Sequence, residues 1–245
     1  MINITDLNSF VEENVSYFHQ KRLEGFKKLK LLNVLKRKNP YLFKAKYMQT
    51  ASDIVEAILD AHLSSQEETL FGEFLEKLAI YVNSNVYNGY KSAVKGIDLE
   101  FERDSIRYIV SIKSGPNWGN SGQIAKMKED FRLATKTLRT SGSNLHVIAV
   151  NGCCYGRTGK YDHGDYYKYC GQKFWEFITG DEEFYLKIIE PIGYKAKDKN
   201  EEFMERYAAL INKFTGEFIG EFCLNSGATD WEKLTKFNSA IQMEK

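Results

Sequence analysis

Residues 145–150 read Leu-His-Val-Ile-Ala-Val, a run of strand length that is apolar apart from His146. A strand of that composition has no polar face to offer water, so it must be buried on both sides, as in a sheet covered by helices. Upstream, residues 96–103 and 107–113 read as two strands joined at Asp104-Ser105, which predicts a hairpin. Between the hairpin and the apolar run, residues 123–139 place Ile124, Met127, Phe131 and Leu138 on one side of an amphipathic helix. Strand, strand, helix, strand is an α/β core.

The flanking sequence is helical. From residue 6 to 63 apolar residues recur at helical spacing, with Phe10, Tyr17 and Phe18 in one stretch and Ile54, Val55, Ile58 and Leu59 in another. Asn39-Pro40 marks a break, because proline disfavours helical backbone in the residue before it. Residues 66–82 form a further helix, with Leu70, Phe71, Phe74, Leu75 and Leu78 as its stripe and Glu73 and Glu76 opposite. Residues 152–169 form a Gly- and Tyr-rich loop, followed by helical segments at 174–178, 184–189 and 201–221. The expected organisation is a helical region over 1–65 and an α/β core with C-terminal helices over 66–245.

Charge bears on the partner. The 245 residues carry 34 Lys+Arg against 33 Asp+Glu, a net charge of +1. That sum hides a block at residues 21–38, where eight basic residues face the single acid Glu24; +7 there leaves about −6 for the rest. Such a block suits phosphate docking, although a solvated helix face carries charge runs too. No run of about 18 apolar residues is present, so no membrane partner is expected. The cysteines, Cys153, Cys154, Cys170 and Cys223, form no C-x-x-C pair, and the N-terminus lacks a signal-peptide core, so a reduced, cytoplasmic protein is expected. Adjacent Cys153 and Cys154 point to opposite strand faces, which suits buried thiols better than a zinc site with His163 and Cys170.

The hairpin carries the chemistry. Asp98 and Glu100 are two apart on a strand, so both project from one face while Ile97, Leu99 and Phe101 project from the other. Adjacent carboxylates repel unless a cation lies between them, and hard oxygen donors suit Mg²⁺. Lys113 ends the second strand, with Ser111 on its own face, and pairing of the strands brings it towards the carboxylates. A lysine there can position a water for attack on phosphorus or offset transition-state charge. An ordinary hairpin with a polar outer face has the same spacing. The difference lies in the next residues, Ser114-Gly115-Pro116-Asn117-Trp118-Gly119-Asn120, which are unlike a surface turn.

Gly96-Ile97-Asp98-Leu99-Glu100-Phe101 followed by Tyr108-Ile109-Val110-Ser111-Ile112-Lys113-Ser114-Gly115-Pro116-Asn117-Trp118 resembles the active-site hairpin of type II restriction endonucleases of the PD-(D/E)xK superfamily. The likeness is closest to members with Ser-Gly-Pro-Asn after the catalytic lysine, and it extends over roughly residues 71–180. It implies a restriction-endonuclease-like core, a central mixed β-sheet flanked by helices. It makes Asp98 the metal-bridging acid and Lys113 the catalytic lysine. The sequence departs from the pattern at Val94-Lys95-Gly96-Ile97, where the family name promises Pro-Asp, and at Ser111, which occupies the position of the second acid. Glu100, Glu76 and Glu129 are candidates for the missing carboxylate; Glu100 is favoured because its position requires no tertiary assumption.

Candidate DNA contacts are Lys91 and Ser92 before the hairpin, Ser114, Asn117, Trp118 and Asn120 in the loop, Gln123 at the start of the helix, and Arg157 and Lys160 in the Gly/Tyr loop. The resemblance implies a Mg²⁺-dependent enzyme cutting double-stranded DNA at specific sites as a homodimer, with a cognate DNA methyltransferase protecting the host. Two alternatives are a non-catalytic DNA-binding protein on a degenerate nuclease core and a repair or structure-specific nuclease of the same superfamily.

Overall fold

The computed structural model describes residues 2–140 and 145–241. In chain order the elements are α1 (Ile4–Lys28), α2 (Leu31–Leu35), α3 (Pro40–Ala45), α4 (Ala51–Tyr87), β1 (Tyr90–Lys91), β2 (Leu99–Arg103), β3 (Ile106–Lys113), α5 (Ser121–Thr140), β4 (His146–Cys153), β5 (Tyr167–Cys170), α6 (Gln172–Thr179), α7 (Phe184–Lys187), α8 (Ile189–Ile192), α9 (Ala196–Phe222) and α10 (Trp231–Ser239). They divide into two compact units, Met1–Ser16 with Phe71–Tyr194, and Tyr17–Leu70 with Lys195–Lys245. These units do not follow a single cut at 65/66, since residues 1–16 group with the sheet and the C-terminal helices from residue 195 group with residues 17–70.

The first unit contains a five-stranded sheet in the order β1-β2-β3-β4-β5. The β1–β2 and β2–β3 pairs are antiparallel, whereas β3–β4 and β4–β5 are parallel. The sheet is therefore mixed, with helices on both faces. On one face Leu99, Phe101, Val110, Ile112 and Val150 pack against Leu7, Val11 and Val15 of α1, Phe74, Leu78 and Val82 of α4, and Phe174, Trp175 and Ile178 of α6. On the other, Ile109, Val147 and Ala149 meet Met127, Phe131, Ala134 and Leu138 of α5. This is the expected α/β architecture, a mixed sheet flanked by helices, and the apolar run is now seen as an inner strand covered on both sides.

Backbone conformation shapes the hairpin and the central strand. The hairpin closes at Asp104-Ser105, both with left-handed φ (53° and 59°), as a two-residue turn matching strand twist requires. β2 starts at Leu99 rather than at Gly96, because Gly96 takes φ +83° and a Cβ there would lie 2.6 Å from Asp130 Oδ2, so the chain bends just before Asp98. In β4, Gly152 is required for a different reason, since a Cβ would overlap the ring of fully buried Phe174.

The second unit is helical. Its core joins Leu31, Val34 and Leu35 of α2, Phe43, Ile54, Val55, Ile58 and Leu59, and Phe203, Phe214, Phe218 and Phe222 of α9. Asn39 caps α3, accepting from the Tyr41 and Leu42 amides at 3.0 and 3.4 Å, and Pro40 fills the first helical position, where no N–H is needed. The helix expected over 66–82 is part of the longer α4; Ser64-Ser65 contain neither Gly nor Pro and do not break it. No helix of the described residues is long and apolar enough to cross a membrane.

Candidate functional site

Asp98 sits where the β2–β3 ladder opens. Its carboxylate accepts the Ile112 amide at 2.7 Å, and the Ser111 hydroxyl stands 3.5 Å away, at the limit of a hydrogen bond. Its own amide donates to the Val110 carbonyl at 2.8 Å, so backbone bonds fix it on both sides. Burial raises its pKa above the ordinary carboxylate value, against the Ile112 hydrogen bond; Glu76 adds to the rise, while Lys113 and Lys91 oppose it. Two acids and two lysines from α4, β1, β3 and the start of β2 thus share one electrostatic neighbourhood.

Glu76 reaches it from α4. Its partner is Lys91, at 3.1 Å, in a pair whose lysine side chain is 69% exposed. An exposed pair of this kind contributes about 0–1 kcal/mol, so Glu76 can change partners at small cost.

Glu100 is placed differently. It is 3% exposed and accepts from Arg107 Nη2 at 2.8 Å, Arg107 Nε at 3.2 Å, Tyr90 Oη at 3.3 Å and the Ser92 hydroxyl. Stripping one partner from such a buried pair costs about 3–5 kcal/mol. The expectation that Glu100 supplies the second carboxylate beside Asp98 meets this geometry: its oxygens already accept from four donors, whereas Glu76 adds to the rise in the Asp98 pKa. Glu129, the third candidate, lies on α5 and is bound to Arg132 at 2.8 and 2.9 Å, a contact that lowers its pKa.

Lys113 is held by the loops around it. Its ammonium lies 5.2 Å from the Trp118 ring centroid, a cation–π contact. Trp118 in turn donates Nε1–H to Asn151 Oδ1 at 3.1 Å, and buried Asn151 donates to the Ser111 carbonyl at 3.2 Å. The Ser-Gly-Pro loop is pinned to the β4–β5 side: the amides of Cys154 and Tyr155 donate to the carbonyls of Lys113 and Ser114 at 2.9 Å, and Lys168 Nζ donates to the Pro116 carbonyl at 2.8 Å. Gly115 abuts the ring end of exposed Tyr155, which would have to shift to admit a side chain.

The remaining expected contacts fall into two groups. Ser92 spends its hydroxyl on Glu100 and on the Val94 amide, and Ser114 packs its hydroxyl against Gly72. Asn120 and Gln123 cap α5 reciprocally, Gln123 Oε1 accepting the Asn120 amide at 2.9 Å and Asn120 Oδ1 accepting the Gln123 amide at 3.0 Å. Lys91, Asn117, Arg157 and Lys160 are exposed. Arg157 lines a cleft of about 950 Å³ with Tyr155 and Lys173, and that cleft contains neither Asp98 nor Lys113. Cys153, Cys154 and Cys170 are buried free thiols, and no group of three or more His, Cys, Asp or Glu among the described residues converges as a metal site.

Residues 5–200, well over half of the chain, match the family described as Type II restriction endonuclease EcoO109I. The chain belongs to that family. No curated relative matches it. Membership makes it a restriction endonuclease, a nuclease whose substrate is DNA. The match covers α1 to α8 and so includes the hairpin, Glu76 and the pinned loop.

Asn151 and Arg107 were not singled out from the sequence. Asn151 is a polar residue directly after an apolar strand run, a signal that could have found it. Arg107 lies opposite Glu102 in the register, and only the fold reveals that it turns diagonally to Glu100.

Proposed function

We propose that the chain is a Mg²⁺-dependent, site-specific endonuclease of the PD-(D/E)xK type, with Asp98 and Glu76 as the metal carboxylates and Lys113 as the catalytic lysine. One observation carries this: a desolvated carboxylate at an opened strand end shares its field with a second acid and two lysines. The donor set fits the ion. Burial without a bonded cation penalises the charge on Asp98, which a divalent cation offsets, and two carboxylate oxygens suit Mg²⁺, which keeps waters and takes phosphate oxygens as its other ligands. When bound, Mg²⁺ supplies charge facing the scissile phosphate and acidifies a water molecule.

The chain's own residues do the rest. The Ile112 amide fixes the Asp98 rotamer, and Lys91 holds Glu76 until a stronger cation competes for it. The Lys113 ammonium donates to the attacking water or to a non-bridging phosphate oxygen, offsetting charge that grows in the transition state. Trp118, anchored by Asn151, restricts where that ammonium stands. A homodimer with two-fold symmetry would cut both strands of a palindromic site, and the host would need a methyltransferase to protect its own DNA.

Incubating the protein with phage DNA of known sequence and Mg²⁺ tests this. Discrete fragments, lost in Lys113→Ala, are expected; unchanged cutting in that variant sinks the assignment. Ser111 at the usual acid position favours a second reading, a non-catalytic DNA-binding protein, which predicts salt-sensitive binding without cutting.

A further inference from the structure

In the helical unit the basic block of residues 21–38 separates into two parts. At its start the cations are spent: Lys21 pairs with Glu24 at 2.7 Å, and Arg22 pairs with Glu67 at 2.6 Å while stacking 3.8 Å from the Phe203 ring centroid. At its end they are not. Lys28, Lys30, Arg37 and Lys38 line one groove of about 640 Å³, walled on its far side by His62, Ser65 and Thr69 of α4. No carboxylate lines that groove, and among the described residues none of these four cations has an acid within ion-pair distance. Burial lowers the His62 pKa, and the charges of Lys38 and Arg37 lower it further, so the positive field reaches across the groove.

Four cations without an ion-pair partner among the described residues repel one another around one concavity, and a concave surface concentrates their field on whatever anion enters. Among the described residues, no Trp, Tyr or Phe lines the groove. Base stacking, the usual grip on single strands, is therefore missing, as are the aromatic anchors of a membrane-surface helix. What fits is a narrow polyanion ridge with its bases turned away. Resting on the reading of the chain as a DNA endonuclease, we propose that Lys28, Lys30, Arg37 and Lys38 form a second, non-catalytic contact for the phosphodiester backbone of duplex DNA.

The test is the salt dependence of binding by the full chain to a short synthetic duplex, measured by fluorescence anisotropy in EDTA so that nothing is cut. Each phosphate left without its cation lowers the slope of log K against log salt by about 0.9, so replacing all four residues by Gln is expected to lower it by about 3 to 4. The double variants Lys28→Gln/Lys30→Gln and Arg37→Gln/Lys38→Gln should each lose about half of that. Lys197→Gln/Lys213→Gln on α9, a change of charge outside the groove equal to that of either double variant, should leave the slope in place. Steep wild-type binding with an unchanged slope in the quadruple variant overturns the groove and leaves the nuclease reading intact. A wild-type chain that neither binds nor cuts duplex overturns both. An unchanged duplex slope together with abolished sedimentation on phosphatidylserine vesicles assigns the groove to lipid headgroups and also overturns the proposal.

Discussion

The two ends of one hairpin hold the same ingredients, a carboxylate and a cation, in opposite states. Towards the turn, buried Glu100 accepts from partly buried Arg107, and Tyr90 and Ser92 complete its set of donors. At the open end Asp98 has one strong backbone donor and, among the described residues, no ion pair, while Glu76 adds to the rise in its pKa and Lys113 and Lys91 oppose it. On the proposed reading, that difference marks the working end: a satisfied buried pair locks strands together, whereas a desolvated acid short of partners suits a cation and a substrate.

The largest expected effect falls on the open end. Asp98→Asn and Lys113→Ala should each slow DNA cleavage by at least about 10³-fold, roughly 4 kcal/mol of transition-state stabilisation, with little change in urea midpoint. Glu100→Gln should invert the pattern. It leaves the Arg107 charge buried against a neutral group, costing about 3 kcal/mol in urea unfolding, while cleavage well below the melting temperature stays within about tenfold of wild type. Glu76→Gln should reduce cleavage by about 10- to 100-fold without a matching loss of stability, since its pair with exposed Lys91 contributes little. A cleavage loss in Glu100→Gln larger than that in Glu76→Gln would reverse the choice between them. The smallest effect is at the turn: Asp104→Asn with Ser105→Gly relieves two left-handed residues and should raise stability by about 0.5–1 kcal/mol with cleavage unchanged.

What the sequence disclosed follows from the range of each interaction. The hairpin and the covered strand were legible because period-two alternation and an apolar run are short-range signals, and the proposed roles of Asp98 and Lys113 rest on a local motif of the same kind. Asn120 and Gln123, expected as DNA contacts, form instead a reciprocal cap that an equally local Asn-x-x-Gln pattern before an apolar stripe could have revealed. Choosing between Glu100 and Glu76 was beyond such signals. Strand alternation puts Glu100 on the face of Asp98 but says nothing of Arg107 reaching across diagonally to occupy it, and α4 comes alongside the strand end only through packing of Phe74, Leu78 and Val82 on the sheet. The groove of the helical unit was visible as composition alone; which cations are already paired depended on Glu67, distant in sequence from Arg22.

The central claim is that the opened end of the hairpin is the reactive one. Digestion of phage DNA with Mg²⁺ by wild type, Asp98→Asn and Glu100→Gln, each verified as folded at the assay temperature, tests it most directly. Discrete fragments from wild type and Glu100→Gln and none from Asp98→Asn are predicted; cutting by Asp98→Asn, or its loss in folded Glu100→Gln, would contradict the account.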